Sequence, residues 1–294
     1  MEVAMKVLVL GAGGNFGKAA AEAFAASGHE VTRFRRGGDM VAAARGQDVI
    51  VNGLNPPKYH DWAHLIPAIT AEVSAAARAS GAMLIVPGNV YTYGVQPGVW
   101  GPGTAQVPCS RKGAIRVQME RDYRALSEQG VKVAILRAGD FVGDGPGTIW
   151  RMVMLKTPGT VAVLGRGKRA YGYLPDLGRL AVRLAEARES LPAFTDLPFA
   201  GFTLSAEDIA QRIEALTGQQ QRLGGFPWWL MTLASPFWEL ARELREMRYL
   251  YDHSHSLDPA PVQALFPDFR ATPLDVVLRE HLPGHSAMVT QTGR

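Results

Sequence analysis

Three cations, Arg111, Lys112 and Arg116, open a segment with the pattern of an amphipathic helix, SRKGAIRVQMERDY at 110–123. The N-terminal end of a helix carries the positive end of its macrodipole, so cations there are unfavourable unless an anion or a reaction compensates. We therefore predict that this helix faces an anionic ligand or takes part in chemistry.

A glycine-rich loop, GAGGNFG, connects the apolar run at 5–10 to an alanine-rich helix. The spacing of its glycines permits a sharp turn, a close approach to a pyrophosphate and tight packing of the helix on the strand. The N-terminus of the helix then faces the phosphates. The sequence thus predicts a dinucleotide site whose candidate cofactor-binding residues are Gly11, Gly14, Asn15, Phe16 and Gly17.

The end of the second predicted strand, EVTRF at 30–34, bears on the choice of dinucleotide. An NAD site usually has an acidic residue there, whereas a 2′-phosphate needs cations. This chain has Arg33, Arg35 and Arg36, which favours NADP(H) over NAD(H) and makes Arg35 and Arg36 candidate cofactor-binding residues. Asp39 leaves an alternative open, because its carboxylate could fold back onto a ribose.

Strands and helices alternate along most of the chain. Buried strands are predicted at 5–10, 30–34, 48–52, 83–87 and 132–138. Helices are predicted at about 61–80, 110–128, 148–156, 176–187, 205–218 and in ATPLDVVLREHL, which Thr272 would cap. This pattern predicts an α/β fold with a doubly wound parallel sheet, the Rossmann fold.

The change of texture after Gly139, from regular elements to glycine-rich loops, suggests two domains. We predict a dinucleotide-binding Rossmann domain at 1–190, with substrate-facing loops at about 139–175. A smaller, mainly helical substrate lobe would follow at 191–294.

The composition indicates a soluble globular protein with 47% hydrophobic residues. The excess of 31 Lys and Arg over 27 Asp and Glu is spread along the chain, which argues against a nucleic-acid partner. Cys109 is the sole cysteine, so no internal disulfide forms.

We expect a cytoplasmic location and no membrane partner. The apolar stretch PWWLMTLASPFW at 227–238 is expected to form packed helices with its tryptophans in the core.

Several motifs together resemble the short-chain dehydrogenase/reductase superfamily, specifically its extended and atypical epimerase/dehydratase branch. GAGGNFG is similar to the branch's GxxGxxG loop, and MLIVPGNVYTYG is similar to the strand that carries its catalytic Ser or Thr ahead of a Tyr-Gly pair. ILRAGDFVGDG and YLPDLGRLA resemble later segments of the same branch, so the match covers residues 5–190. The resemblance implies that Leu54 and Asn55 cover the cofactor and that the nicotinamide lies near Ala138 and Phe141.

The catalytic positions that the resemblance implies are altered. When Glu120 is aligned with the glutamate that usually follows the YxxxK pair, Lys112 stands in place of Tyr and Arg116 in place of Lys. Asn89 occupies the Ser or Thr position. A guanidinium does not deprotonate in proteins, so Arg116 is predicted to hold ribose hydroxyls or a phosphate.

Other residues must then supply the chemistry. Asn89 could donate a hydrogen bond to a carbonyl. The alternative proton donors are Lys112, Tyr91 and Tyr93. Lys112 and Arg116 could instead line a solvated helix face or only bind. His60 and His64 have no third ligand at a useful spacing, so no metal is predicted.

Two hypotheses for function follow. The first is an NADP(H)-dependent oxidoreductase or epimerase-like enzyme that acts on a carbonyl or hydroxyl of a small organic or sugar-derived substrate. The second is a non-catalytic dinucleotide sensor like the nitrogen-metabolite-repressor proteins, which share the fold and lack the Tyr-Lys pair. The resemblance also implies a homodimer.

Overall fold

The structure is a computed structural model that describes residues 4–145 and 147–282. In chain order the strands are β1 (Lys6–Leu10), β2 (Glu30–Arg33), β3 (Val49–Asn52), β4 (Met83–Gly88), β5 (Val99–Trp100), β6 (Val133–Arg137), β7 (Asp140–Val142), β8 (Thr160–Val163), β9 (Arg169–Tyr173), β10 (Phe194–Pro198), β11 (Phe202–Leu204), β12 (Arg222–Gly225) and β13 (Ser256–Leu257).

The α-helices are α1 (Asn15–Ala26), α2 (Met40–Ala44), α3 (Trp62–Ser80), α4 (Arg111–Ser127), α5 (Leu174–Glu186), α6 (Ala206–Thr217), α7 (Trp228–Ala234), α8 (Glu239–Glu246), α9 (Tyr249–Asp252), α10 (Ala260–Leu265) and α11 (Leu274–His281). Two 3-10 turns, Pro57–Tyr59 and Tyr91–Tyr93, and a π-helical turn, Trp150–Met154, connect them.

A central sheet of six parallel strands, in the order β10-β6-β4-β3-β1-β2, confirms the predicted Rossmann-type fold. Residues that alternate along β1 enter different layers: Val7 and Val9 pack with α1 and α5, whereas Leu8 and Leu10 pack with α3 and α4. Both faces of the strand are therefore covered, which explains why its sequence is a continuous apolar run.

The edge strand β10, FTDLP, pairs with β6 and was not predicted. Its aspartate and proline weaken the strand pattern, and proline is tolerated in a strand at the edge of a sheet. The predicted domain boundary at residue 190 falls before this strand, so the main sheet takes one strand from beyond that boundary. The division into two domains stays a prediction.

Elements other than the central sheet form smaller sheets and separate hydrophobic clusters, whereas Val262 of α10 packs in the core of the central sheet. Smaller sheets join β11-β9-β7, β12-β8 and β13-β5. Helices α6 and α11 pack around the buried Trp150. Helix α11 begins at Leu274, and the predicted cap Thr272 instead donates its backbone N–H and its hydroxyl to the buried carboxylate of Asp176.

The segment 227–238 forms α7, but the prediction that its tryptophans lie in the core is wrong for Trp229 and Trp238, which are exposed. None of the residues of α7 is buried. Trp228 is half-buried and donates its indole N–H to the carbonyl oxygen of Leu164 at 2.7 Å. Within residues 4–145 and 147–282, no helix combines the length and the hydropathy that crossing a membrane requires.

Candidate functional site

The glycine-rich loop between β1 and α1 forms a cradle that side chains would fill. Gly11 has φ +68°, and a Cβ there would lie 2.7 Å from the carbonyl oxygen of Gly53. A Cβ on Gly17 would overlap the carbonyl oxygen of Gly11. Gly14 precedes α1 and offers no side-chain cap, so N–H groups of the first helical turn stay available for an anion. The cradle fits the pyrophosphate of a dinucleotide.

The two residues between these glycines have different surroundings. The Phe16 side chain is buried in the core, so it can meet a cofactor only through its backbone. The Oδ1 atom of Asn15 accepts a hydrogen bond from the N–H of Gly147 at 3.2 Å. The loop after β7 therefore reaches the N-terminus of α1 and borders the cradle.

The cations after β2 are free to meet a ligand. Arg35 and Arg36 are exposed, and neither lies within 4 Å of a carboxylate in the described part of the chain. Asp39 has a local role, because its carboxylate accepts the N–H of Ala42 at 3.0 Å and caps α2. One oxygen of the carboxylate that could have favoured NAD(H) therefore serves as a helix cap within the protein.

Lys112 is not on a solvated face, since only 2% of it is exposed. Its ammonium donates to Glu243 and, at 2.6 Å, to Glu246, and its backbone N–H donates to Glu246 at 3.0 Å. Although burial of Glu243 acts in the opposite direction, hydrogen bonds from Lys112 and Arg242 hold the pKa of its carboxyl below the ordinary value. We call this arrangement of Lys112, Glu243 and Glu246 the α4–α8 clamp.

Arg116 is also buried, with 8% exposed, but its charge is not compensated. One N–H donates to Oδ1 of Asn55 at 2.7 Å, and the guanidinium lies 4.7 Å from the ring centre of Trp62. Its Nε is buried without a hydrogen-bond partner, and no carboxylate lies within 4 Å among the described residues. Burial lowers the pKa of the guanidinium. The site thus holds a buried guanidinium whose Nε has no hydrogen-bond acceptor and which has no carboxylate partner among the described residues.

Two phenols lie beside these cations. The hydroxyls of Tyr59 and Tyr91 are 3.1 Å apart, and burial raises the pKa of both well above the ordinary value. Lys112 lies 5.3 Å from the ring centre of Tyr59. Oδ1 of Asn89 accepts the N–H of Tyr91 at 3.0 Å, which leaves the amide N–H groups of Asn89 to donate to a ligand.

The segment that carries Tyr59 is strained. Lys58, Tyr59 and Asp61 have φ of 54°, 61° and 44°, in the left-handed region that L side chains rarely adopt. Such conformations persist only where the surrounding structure enforces them, and they concentrate at functional sites.

Tyr93 lies apart from the other candidates. Its hydroxyl donates to the carbonyl oxygen of Gly101 at 3.3 Å, and its ring lies 5.1 Å from the guanidinium of Arg137.

The residues predicted to lie near the nicotinamide and to cover the cofactor are partly or fully buried. Ala138 is fully buried and its N–H donates to the carbonyl oxygen of Gly88, while Phe141 packs against the core that contains Ala138. Leu54 is half-buried, and its N–H donates to Asn52 at 3.1 Å.

A buried ion pair faces the same region from the smaller sheet β11-β9-β7. Arg169 on β9 pairs with Asp140 on β7, and its guanidinium stacks 3.6 Å from the ring centre of Tyr251. Two N–H groups of Arg169 are buried without a partner. Sequence reasoning missed Tyr59, Arg169 and Tyr251, because they lie outside the recognised motifs and only the fold brings them together.

Comparison with known proteins gives structural likeness only. No protein-family profile matches the chain, and no curated protein matches it significantly. A UDP-glucose 4-epimerase from Brucella ovis in complex with NAD superposes with a TM-score of 0.73, 18% identity and coverage of 96% of this chain and 98% of that one.

Two further solved structures give a similar result. A UDP-glucose-4-epimerase from Stenotrophomonas maltophila with bound NAD and formylated UDP-arabinopyranose gives a TM-score of 0.76, 15% identity and coverage of 97% and 99%. A nucleoside-diphosphate-sugar epimerase from Pseudomonas aeruginosa gives 0.70, 19% and 99% of both chains. The chain therefore has the fold of these epimerases, in agreement with the resemblance of its motifs.

Proposed function

We propose that the protein is a nicotinamide-dinucleotide-dependent oxidoreductase or epimerase-like enzyme that acts on a carbonyl or hydroxyl of a small organic or sugar-derived substrate. The observation that carries the proposal is the uncompensated guanidinium of Arg116, which bonds to Asn55 in the loop that follows β3. That loop begins at Gly53, which packs directly against Gly11 and Gly17 of the cradle. Solved structures with the same fold bind NAD and nucleotide sugars, which supports the same class of ligands here.

NADP(H) is favoured as the cofactor. Arg35 and Arg36 are exposed cations without a carboxylate partner in the described ranges, and they follow the strand whose end selects the ribose in this fold. Arg116 would hold ribose hydroxyls or a phosphate through its unpartnered Nε. When bound, the nicotinamide accepts or donates a hydride.

Tyr91 is the proton donor that the geometry supports best. Its phenol is protonated at neutral pH, because burial raises a pKa that already lies well above neutrality, so it can donate to a carbonyl oxygen that becomes an alkoxide during reduction. An alkoxide is the stronger base, which makes this transfer favourable. Tyr59, whose hydroxyl is 3.1 Å away, can pass a proton to Tyr91 in turn. Asn89 would donate to the same oxygen and hold the substrate in place.

The α4–α8 clamp supports a positioning role for Lys112. Its ammonium already donates to two carboxylates, and both belong to α8. A proton donor must reach the reacting oxygen, and these bonds turn the ammonium towards α8 instead. Lys112 therefore fixes α8 against the start of α4, next to Tyr59.

The test measures oxidation of NADPH by the purified protein with a panel of aldehydes, ketones and nucleotide sugars. We expect turnover with at least one compound, and Tyr91→Phe should lower kcat by about a hundredfold or more while the Kd for NADPH stays unchanged. Tyr93→Phe is the matched control, because its phenol lies in the same turn but bonds elsewhere. Tight binding of NADPH without any turnover would overturn the enzyme proposal and favour the sensor hypothesis.

A further inference from the structure

An exposed apolar surface surrounds α7 and the turn that follows it. Trp229 is 64% exposed, Leu233 68% and Phe237 95%. We call this surface the apolar patch; it consists of Trp229, Leu230, Leu233, Phe237 and Trp238. Large contiguous apolar patches on a protein surface commonly mark an interaction site. The proposed reaction gives these side chains no role.

The patch is held by a defined anchor. Trp228 donates its indole N–H to Leu164 at 2.7 Å, and its ring packs edge-on against Phe226 at 4.8 Å between ring centres. Helix α7 also packs against α8. Helix α7 thus contacts the rest of the protein through Trp228 and α8. The neighbouring side chains lie on its opposite side and project outward.

Exposed cations flank this anchor. Arg245 donates at 2.7 Å to the hydroxyl of Ser235, the residue that directly follows α7. Arg166 follows Leu164, the residue that holds Trp228, and Arg222 opens the strand that leads into α7. None of these three arginines lies within 4 Å of a carboxylate in residues 4–145 and 147–282. A fourth guanidinium, that of Arg248, lies 5.4 Å from the ring centre of Trp228, but Asp252 balances its charge at 3.5 Å.

We propose that the apolar patch and its flanking arginines dock the protein peripherally on an anionic lipid surface. Trp, Phe and Leu side chains that project from a helix enter the boundary between headgroups and acyl chains, and nearby cations are attracted to anionic headgroups. This differs from the sequence-based expectation of no membrane partner, which considered only spanning segments.

The charges favour lipid over a second copy of the chain. A symmetric contact through the same patch would bring the arginines of two copies towards each other, and like charges across an interface are unfavourable. Phe237 also protrudes almost fully, as suits insertion between lipids better than a flat contact. Docking would place the candidate functional site near the lipid surface. Tyr251 links the two regions, because it contacts both Trp228 beside the apolar patch and Arg169 beside the site.

The experiment is cosedimentation of the full chain with vesicles of phosphatidylcholine alone or with about a third phosphatidylglycerol, at low and high salt. We expect binding to the anionic vesicles, weakened by salt and weak on neutral vesicles. Arg222→Gln with Arg245→Gln should weaken it roughly thirtyfold, from about 1 kcal/mol per cation near the surface. Trp229→Ser with Phe237→Ser should abolish it.

Two control proteins keep the test specific. Arg78→Gln with Arg121→Gln removes two exposed cations on α3 and α4, and Val276→Ser removes an exposed apolar side chain on α11. Both should bind as the original chain does, and circular dichroism verifies that every variant is folded. No binding to anionic vesicles would overturn the proposal. So would equal binding to neutral vesicles, or a dimer in solution that Trp229→Ser with Phe237→Ser dissociates.

Discussion

The α4–α8 clamp makes a prediction about stability that distinguishes a positioning lysine from a chemical one. Lys112→Met keeps the length of the side chain and removes the ammonium that is buried between Glu243 and Glu246. Removing one partner of a buried ion pair destabilises by about 3–5 kcal/mol, because the other charge is left in a poorly solvated place.

The surroundings of the clamp place the expected loss at the lower end of that range. Glu243 keeps a hydrogen bond from Arg242 at 3.0 Å, and Arg111 lies 3.6 Å from the same carboxylate. We therefore expect a loss of about 3 kcal/mol, which corresponds to a fall in Tm of about 5 °C in a chain of this size.

Scanning calorimetry of the original chain, Lys112→Met and Arg111→Met measures this effect. Arg111 is the matched control, because it approaches the same two carboxylates from an exposed position. Its loss should cost about 1 kcal/mol or less. In a double-mutant cycle, Lys112→Met and Glu243→Gln should couple by at least about 1 kcal/mol. Equal Tm values for Lys112→Met and Arg111→Met would refute the clamp and return Lys112 to the candidate proton donors.

Three further predictions concern the cofactor site and a buried histidine. Gly17→Ala should abolish dinucleotide binding in titration calorimetry, because its Cβ would overlap the carbonyl oxygen of Gly11, whereas Gly13→Ala has nothing within 4 Å and should bind normally. Arg36→Ala should weaken NADPH binding by about tenfold or more and leave NADH binding unchanged, through loss of a charge-assisted hydrogen bond. Burial and the charge of Arg169 lower the pKa of His255 to about 4. The unfolded chain then binds more protons between about pH 4 and 6.5, so stability should fall by up to about 3 kcal/mol as pH drops through this window. His255→Gln should remove that part of the pH dependence, and His64→Gln, at an exposed position, should not.

Each of these predictions has a clear contrary result. Normal binding by the Gly17 variant would show that the cradle does not hold the pyrophosphate. An equal loss of NADH and NADPH affinity in the Arg36 variant would refute a 2′-phosphate contact. An unchanged slope of stability against pH in the His255 variant would show that this imidazole is not buried in its neutral form.

The sequence predicted those elements of the fold whose structure depends on a short, continuous run of residues. The strand β1 is a continuous apolar run because helices cover both faces, and its boundaries follow from that run. The glycine loop was predictable from its own spacing, and the backbone of Gly11 in the same loop restricts Gly17. Gly11 itself is restricted by the distant backbone of Gly53, which the loop pattern does not reveal. By contrast, the pattern of FTDLP does not indicate a strand, and only its pairing with β6 makes it one.

The parts of the site that sequence did not predict depend on distant partners. The carboxylates that bind Lys112 lie 131 and 134 positions later in the chain, so a pattern around residues 110–123 could not reveal them. The cations at the start of α4 therefore have two explanations. Lys112 finds its anions within the protein, whereas Arg116 has none among the described residues and remains available for a ligand.

The prediction of buried tryptophans at 227–238 failed for a related reason. Hydropathy indicates that side chains prefer to leave water, but it does not say whether they do so within the chain or against a partner. Trp228 is half-buried and packs against the rest of the protein, whereas Trp229 and Phe237 project outward. The difference between a core helix and a docking helix is thus set by the tertiary structure.

The most direct test of the central proposal is a calorimetric titration of the full chain with NADPH and, separately, with NADH. We expect one molecule bound per chain, with NADPH at least about tenfold tighter because Arg35 and Arg36 meet its 2′-phosphate. The absence of saturable binding by either dinucleotide at millimolar concentration would contradict it.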